Sequence, residues 1–177
     1  KYPKSRDFLK NPIHPGVASI NFERKTFNHS MPVIGFMGRE WKRKGLPKVI
    51  QIWRELREEI PLIKLCLAGF DTLEKIGLED HEKANIEVLG YVKNKESFYQ
   101  KIDLLIHPAK LEAFGMVVPE ALSLGIPVLS SKETGASSIN PELQNVISCM
   151  EPVSIWAKHT TDILNKLSNG IRPNYSP

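Results

Sequence analysis

Two glutamates lie eight positions apart in LEAFGMVVPEAL, one before and one inside an apolar run. Glu112 precedes Gly115, and Glu120 follows that glycine by five residues. A carboxylate offers only acceptors and binds hydroxyl donors well, so sugar hydroxyls are the ligand that this pair favours. Taken singly, Glu120 is more simply a surface residue with a lysine partner, and Glu112 a capping residue of the next turn.

The glycine between the two glutamates indicates a second kind of contact. Residues from Gly115 onward run into a helical pattern, so the amides of Gly115, Met116 and Val117 are expected to be free at a helix N-terminus. Such amides bind phosphate without a basic side chain. Carboxylates this close would repel a phosphate unless their oxygens were engaged elsewhere, which again favours hydroxyl ligands.

A cationic turn, GREWKRKG, follows the first apolar segment. Arg39 and Lys44 both come soon after Gly38, so one turn places a guanidinium fork and a compact ammonium near a single anion. A diphosphate fits that pair. The alternative is that Lys42, Arg43 and Lys44 form only a solvated basic turn.

The histidines and cysteines favour structural roles. His107, flanked by apolar strand residues, is expected to be a hydrogen-bonded core histidine rather than a base, and His14 a turn residue before Pro15. Cys66 and Cys149 are interpreted as reduced core residues. No Asp-x-Asp or His/Asp cluster occurs at ligand spacing in the strand-end loops, so the sequence indicates no metal site there.

The elements that must position these residues alternate between short apolar runs and amphipathic stretches. This pattern predicts α/β units in an open, doubly wound parallel sheet of about six strands with helices on both faces. Ligands bind such sheets beyond the carboxyl ends of the strands. The predicted strands are 33–38, 63–69, 86–92, 104–109 and 127–131, with a sixth at NVISC, and the predicted helices are 46–59, 72–83, 95–102 and 115–124.

Length and composition indicate one domain. The chain has 177 residues, 41% of them hydrophobic and 25% charged, which excludes wholesale disorder and membrane insertion. We predict an interdomain linker or edge segment over 1–30, a Rossmann-like domain over 31–168 and a flexible tail over 169–177. The net charge of +4 permits phosphate contact, and the charged amino terminus predicts a cytoplasmic location.

With these motifs assembled, the chain resembles the nucleotide-binding, C-terminal half of a GT-B glycosyltransferase, most like the retaining family 4 enzymes. GREWKRKG is similar to the family's Gly-Arg-x4-Lys-Gly loop. LEAFGMVVPEALSLGIPV is similar to its signature of two glutamates separated by seven residues. The resemblance runs from about Ile13 to Ser148 and implies a Rossmann-like domain, one half of a GT-B fold.

The resemblance also implies roles by position. Arg39 and Lys44 would neutralise the donor diphosphate, Glu112 would meet the transferred sugar, and Glu120 would hold the ribose hydroxyls. These implied contacts extend to the backbone, with Gly38, Phe114, Gly115, Met116 and Val117 near phosphates and sugar and Tyr91 and Val92 near the base.

The implied reaction moves a hexose-type sugar from a UDP- or GDP-sugar to a glycan or lipid-linked acceptor, with retention and without cofactor or metal. HPGV resembles the hinge to an acceptor-binding domain, so the fragment alone is expected to be inactive. Peripheral membrane association and lipopolysaccharide or polysaccharide biosynthesis are further expectations.

Two other functions stay open from the residues themselves: an NAD-binding Rossmann domain, and a non-catalytic nucleotide or nucleic-acid binding module. GFMGREWKRKG lacks the G-x-G-x-x-G of an NAD-binding domain. A non-catalytic nucleotide or nucleic-acid module would interleave aromatic residues with its cations, which this chain does not do. Where relatives carry Gly-Gly-x-x-Glu this chain has ETGASSIN, so Ser137 and Ser138 receive no role.

Overall fold

The computed structural model describes residue 16 and residues 26–70, 76–138 and 145–172. Six parallel strands form one sheet in the order β3-β2-β1-β4-β5-β6, which confirms the predicted doubly wound α/β class. The strands are β1 Val33–Met37, β2 Lys64–Ala68, β3 Ile86–Val88, β4 Leu104–His107, β5 Val128–Ser131 and β6 Asn145–Ile147. The helices are α1 Leu46–Glu59, α2 Asp80–Lys83, α3 Glu96–Tyr99, α4 Val117–Ser123 and α5 Val153–Ser168, with a 3-10 helix at Gly135–Ser138.

The strands are apolar on both faces because both faces are covered. Alternate strand residues enter two separate hydrophobic cores: Leu65 and Leu67 face the core that contains α1 and α5, while Cys66 and Ala68 face the core that contains α3 and α4. A strand buried on both sides reads as a continuous apolar run, which explains the sequence pattern.

The strand order reverses between β1 and β4, which are neighbours in the sheet although a large part of the chain separates them. Ile34 pairs with Leu104, and Gly35 with Leu105. The carboxyl ends of these two strands therefore open side by side, and the loops that follow them meet at this switch point. The cationic turn follows β1 and the glutamate loop follows β4.

Several predicted elements are shorter in the structure. The helix predicted over 72–83 begins at Asp80, where Glu79 and Glu82 form a capping box, and residues 71–75 lie outside the described part. The strand predicted over 86–92 ends at Val88, and the helix predicted over 95–102 spans only Glu96–Tyr99. Residues 115 and 116 precede α4 because Gly115 has φ +85°, which lies outside the right-handed helical region.

The sequence analysis missed α5 and misplaced one cysteine. Trp156, Ile163 and Leu164 of α5 are buried in the same core as α1, so this helix is part of the fold. Cys66 is buried as predicted, whereas Cys149 is only partly buried because it lies in the exposed turn after β6.

The predicted linker and tail fall mostly outside the described residues, as do Ile13 and His14. In the part of the chain that is described, none of the helices has both the length and the apolar character needed to cross a bilayer.

Candidate functional site

The turn after β1 folds back on itself. The amide of Lys44 donates to the carbonyl of Glu40 at 2.9 Å, and that of Leu46 to the carbonyl of Trp41 at 2.9 Å. The alkyl chain of Lys44 consequently crosses Gly38, where a Cβ atom would lie 2.5 Å from Lys44 Cδ. The glycine at position 38 therefore lets the lysine reach along the end of β1.

A cleft of about 210 Å³ opens at this edge of the sheet. It is lined by Met37, Gly38, Arg39, Lys44, Gly69, Tyr91, Val92, Lys95 and Val117. Six of these residues, Gly38, Arg39, Lys44, Tyr91, Val92 and Val117, were predicted from the sequence. A larger cleft of about 360 Å³ near Val33, Lys64 and Gln100 contains none of the predicted site residues.

The guanidinium of Arg39 lies over the ring of Tyr91, with Cζ 5.6 Å from the ring centroid. Both side chains line the cleft, and Arg39 is exposed. This stacking brings the first cation of the turn after β1 to the segment after β3. The predicted phosphate-binding and base-binding segments therefore meet in one cleft.

Glu112 receives two of the cations. Lys44 Nζ lies 3.1 Å and Arg43 Nη1 3.7 Å from Glu112 Oε2, and Arg43 also donates to the carbonyl of Leu111. Of the three cations in the alternative solvated turn, Lys42 is exposed and lies over Trp41. Arg43 donates to Glu40 Oε2 at 2.8 Å, and Lys44 is partly buried. Arg43 was not predicted to reach this site.

Pairing with the segment after β5 holds the backbone around Glu112. The amide of Glu112 donates to the carbonyl of Glu133 at 3.1 Å, and the amide of Gly135 donates back to the carbonyl of Glu112 at 3.0 Å. A Cβ at position 135 would lie 2.1 Å from the carbonyl oxygen of Ala113. The ETGASSIN segment, which departs from the family pattern, thus braces the glutamate loop.

The hydroxyls of the two serines in that segment bond to nearby backbone. Ser137 Oγ donates to the carbonyl of Lys132 at 3.3 Å, and Ser138 Oγ to the carbonyl of Gly135 at 3.0 Å. These contacts stabilise the short 3-10 helix.

Glu120 is buried on α4 and is paired at both oxygens. Lys95 Nζ donates to Oε1 at 2.5 Å, and the buried hydroxyl of Tyr99 donates to Oε2 at 2.7 Å. Burial and the adjacent carboxylate raise the pKa of Tyr99, so its hydroxyl stays protonated and donates. The lysine partner considered from the sequence is present, but Glu120 is not a surface residue.

Lys95 and Tyr99 are the functional candidates that the sequence analysis missed. A carboxylate on an otherwise apolar helix requires a countercharge and donors. A search for them would have led to α3, because the loop that begins it follows the strand beside the site.

His107 ends β4 and is fully buried, but it is not the hydrogen-bonded core residue that was predicted. Neither ring nitrogen has a hydrogen-bond partner among the described residues. Nε2 would lie 3.5 Å from a Cβ at position 115, so the ring borders the glycine turn. Burial, with the positive charge of Lys44, lowers the pKa of His107 to about 4, and its imidazole is neutral at pH 7.

The glycine turn also leaves donors available. Within the described ranges no backbone acceptor is assigned to the amides of Gly115, Met116 or Val117, whereas Val118 donates to the carbonyl of Gly115 at 2.9 Å. A side chain at position 115 would meet Thr134 Cγ2 at 2.7 Å, so only glycine fits this turn. In residues 26–70, 76–138 and 145–172, no group of three metal-ligating side chains is gathered.

Comparison with known proteins gives this geometry a context. The family model described as "Glycosyl transferases group 1" matches residues 18–166. The capsular polysaccharide biosynthesis glycosyltransferase CapM of Staphylococcus aureus is 31% identical over 109 residues, covering 59% of this chain and 29% of CapM. The chain spans about a third of the length of the first curated relatives that it matches.

Solved structures share the fold. WaaG, a glycosyltransferase involved in lipopolysaccharide biosynthesis, superposes with a TM-score of 0.70 at 21% identity, covering 82% of this chain and 41% of WaaG. Anabaena HepE in complex with UDP superposes with a TM-score of 0.59 at 20% identity, covering 79% of this chain and 40% of HepE. The prediction of one half of a GT-B fold is thereby confirmed.

Proposed function

Because the chain belongs to the group 1 glycosyl transferase family, we propose that it is the donor-binding domain of an enzyme that moves a hexose-type sugar from a UDP- or GDP-sugar to a glycan or lipid-linked acceptor. Transfer would proceed with retention, as in the family 4 enzymes that the sequence resembles, and without a metal or other cofactor. One observation carries the proposal. Lys44 pairs with Glu112 and lines the same cleft as Arg39 and Lys95, while Lys95 pairs with Glu120.

The cations would stabilise the leaving group. When the bond between sugar and diphosphate breaks, negative charge develops on the distal phosphate, and cations already in place stabilise it without reorganisation. Arg39 and Lys44 lie at the cleft and are assigned this role. The amides of Gly115, Met116 and Val117, to which no backbone acceptor is assigned among the described residues, would add neutral donors for the same anion.

The two carboxylates would bind different sugars of one donor. Glu120 lies in the half of the site that contains Lys95, Tyr91 and Val92, so it is assigned the ribose, with the base near Tyr91 and Val92. Glu112 lies beside Lys44 and the glycine turn and is assigned hydroxyls of the transferred sugar. Phe114 and Gly38 complete the surroundings of the sugar and phosphates. The acceptor would attack on the face that the diphosphate leaves, so the site needs no protein nucleophile.

The names of the matching proteins support a place in cell-surface polysaccharide assembly. CapM is a capsular polysaccharide enzyme, and WaaG acts in lipopolysaccharide biosynthesis. The full enzyme would then work on the cytoplasmic side of the membrane, with peripheral association at the surface where a lipid-linked acceptor is presented. The acceptor contacts would come from outside this chain, so the chain alone should bind donor without transferring sugar.

Thermal unfolding with a panel of nucleotides tests the proposal. A ligand that binds only the folded state raises the midpoint. UDP or GDP and their sugar conjugates should raise it, whereas NAD and a DNA oligomer should not. A larger shift with NAD, or with DNA alone, would overturn the donor-binding assignment.

Substitution of each carboxylate tests the division of labour. Glu120→Gln should weaken nucleoside diphosphate and nucleotide-sugar binding equally, since both ligands contain the ribose. Glu112→Gln should not weaken diphosphate binding, because it leaves Lys44 without a competing carboxylate, but it should remove the added affinity that the sugar provides. Calorimetric titration with UDP, GDP and their glucose conjugates gives both values. Equal losses for both ligands in both variants would show that the assignment is wrong.

A further inference from the structure

The ammonium of Lys95 is the group that separates Glu120 from the cleft. Its Nζ lies 2.5 Å from Glu120 Oε1, and its side chain is 46% exposed against 12% for the carboxylate. The second oxygen of Glu120 is taken by Tyr99 from the core side, where the hydroxyl is fully buried. A ligand in the cleft therefore reaches Glu120 through the place that Lys95 occupies.

We propose that Lys95 is a specificity-determining residue that pairs with Glu120 at the ribose site and is displaced from it by a vicinal diol. This inference rests on the proposed function, in which Glu120 binds the ribose. A 2′,3′-diol supplies two donors to one carboxylate, enough to replace the ammonium, whereas a single hydroxyl is not. The flexible, half-exposed lysine moves, while Tyr99 keeps Glu120 in place.

Because Lys95 can be displaced or can stay, it reduces the loss of affinity that follows when the ligand lacks a hydroxyl. When a 2′-deoxyribonucleotide binds, Lys95 stays on Glu120, and no carboxylate oxygen is left without a donor. Without the lysine, the same ligand offers Glu120 only its 3′-hydroxyl, so the buried carboxylate accepts one hydrogen bond fewer than from a ribose, and a missing bond to a charged acceptor is costly. Removal of Lys95 should therefore increase the preference for ribose over deoxyribose, although it also removes a cation from the cleft.

The test is a ligand cycle on the 177-residue chain. Dissociation constants for UDP and 2′-deoxy-UDP, with GDP and 2′-deoxy-GDP in parallel, are measured by calorimetry for the wild type and for Lys95→Met. The ratio of the deoxy to the ribo constant should rise about fivefold to tenfold in the variant. Each separate constant also reflects the lost cation, but that loss affects both ligands alike and cancels in the ratio.

Three further variants make the cycle specific. Lys95→Arg retains a cation for Glu120 and should keep the wild-type ratio. Lys93→Met removes an exposed charge two residues away and should also leave the ratio unchanged. Glu120→Gln combined with Lys95→Met should abolish the increase, because no carboxylate is then left unpaired.

The outcomes distinguish a failure of the role of Lys95 from a failure of the proposed function. Binding of a ribonucleoside diphosphate with an unchanged or lower ratio in Lys95→Met would overturn the displacement of Lys95 and leave the proposed function standing. Binding of none of the four nucleotides by the folded wild type would overturn the proposed function, and the role of Lys95 with it. Circular dichroism of each variant checks that the comparison is made between folded chains.

Discussion

The halves of the site around Glu120 and Glu112 are in opposite states of hydrogen bonding. Glu120 is on a helix, and each of its oxygens accepts a hydrogen bond, one from Lys95 and one from Tyr99. Glu112 is on a loop, and its buried Oε2 has no hydrogen-bond donor in the described part of the chain. Lys44 Nζ lies 3.1 Å from that oxygen and forms an ion pair with it.

Under the proposed function, the two carboxylates would therefore bind sugar hydroxyls from different starting states. The Glu120 half is satisfied, so a ligand must replace a donor that is already present, and recognition is a competition. Among the residues that the structure describes, the Glu112 half contains three buried polar atoms without hydrogen bonds, Glu112 Oε2 and both nitrogens of His107. Unsatisfied buried groups cost stability, and a ligand with hydroxyl donors would recover that cost.

A substitution of Gly135 should have the largest effect on the Glu112 half, because Gly135 packs against the glutamate loop. In Gly135→Ala the new Cβ would meet the carbonyl oxygen of Ala113 at 2.1 Å, so the paired segments must separate. Overpacking and loss of the Gly135 to Glu112 and Ala136 to Phe114 hydrogen bonds should together lower the free energy of unfolding by about 4 kcal/mol. Urea denaturation measures this loss.

Gly170→Ala is the matched control for that substitution. Gly170 has φ +74° and no described atom within 4 Å of a Cβ at its position, so the variant suffers backbone strain of about 1 kcal/mol without a collision. A loss in Gly135→Ala no greater than in Gly170→Ala would show that the brace does not hold the loop.

The imidazole of His107, which has no hydrogen bond from the described residues, should make the free energy of unfolding fall at acid pH. The pKa of His107 is about 4 in the folded chain, below the ordinary value near 6.5, so the unfolded chain binds more protons between these two pH values. The stability that this pKa difference contributes is fully present above pH 6.5 and is lost as the pH falls toward 4. The wild type should lose about 3 kcal/mol more than His107→Gln over that range.

Denaturation curves at a series of pH values measure this difference. Carboxyl groups that titrate near pH 4 contribute equally to both proteins and cancel in the comparison. The exposed His81 provides the control variant, His81→Gln, for the removal of an imidazole outside this site. Parallel curves for the wild type and His107→Gln would mean that the folded chain does not suppress protonation of His107.

The sheet and six of the nine cleft residues could be predicted, but the pairing of the side chains could not. Short apolar runs and helical spacing are local properties, so the strands were found, and Arg39 and Lys44 followed from their position after β1. The partners of Glu120 come from α3 and the brace of Glu112 comes from residue 135. Such contacts depend on loop paths between distant segments. The helix α5 was not predicted, although Trp156, Ile163 and Leu164 recur at helical spacing and are buried.

Lys44 is the one cation expected to serve both the diphosphate and Glu112. Lys44→Met should weaken UDP or GDP binding about 30-fold, or about 2 kcal/mol, because a hydrogen bond to a charged group is lost in a partly enclosed cleft. Calorimetric titration provides the constants. Lys42→Met, on the same turn but exposed over Trp41, should change them less than twofold. Similar losses in both variants would mean that the turn attracts the ligand only through its total charge.

A substitution of Tyr99 tests whether its buried hydroxyl holds the carboxylate of Glu120 in place. Tyr99→Phe keeps the packing of the buried ring and removes only the donor at 2.7 Å from Glu120 Oε2. The free energy of unfolding should fall by about 1 kcal/mol, and nucleoside diphosphate binding should weaken about fivefold, since an unanchored carboxylate presents its oxygens less favourably to the ribose. Phe98→Leu, which alters the neighbouring core without touching Glu120, should lower stability and leave binding unchanged. If Tyr99→Phe lost stability but bound nucleotide like the wild type, Lys95 alone would be sufficient to position Glu120, and the difference between the two halves would reduce to one exposed lysine.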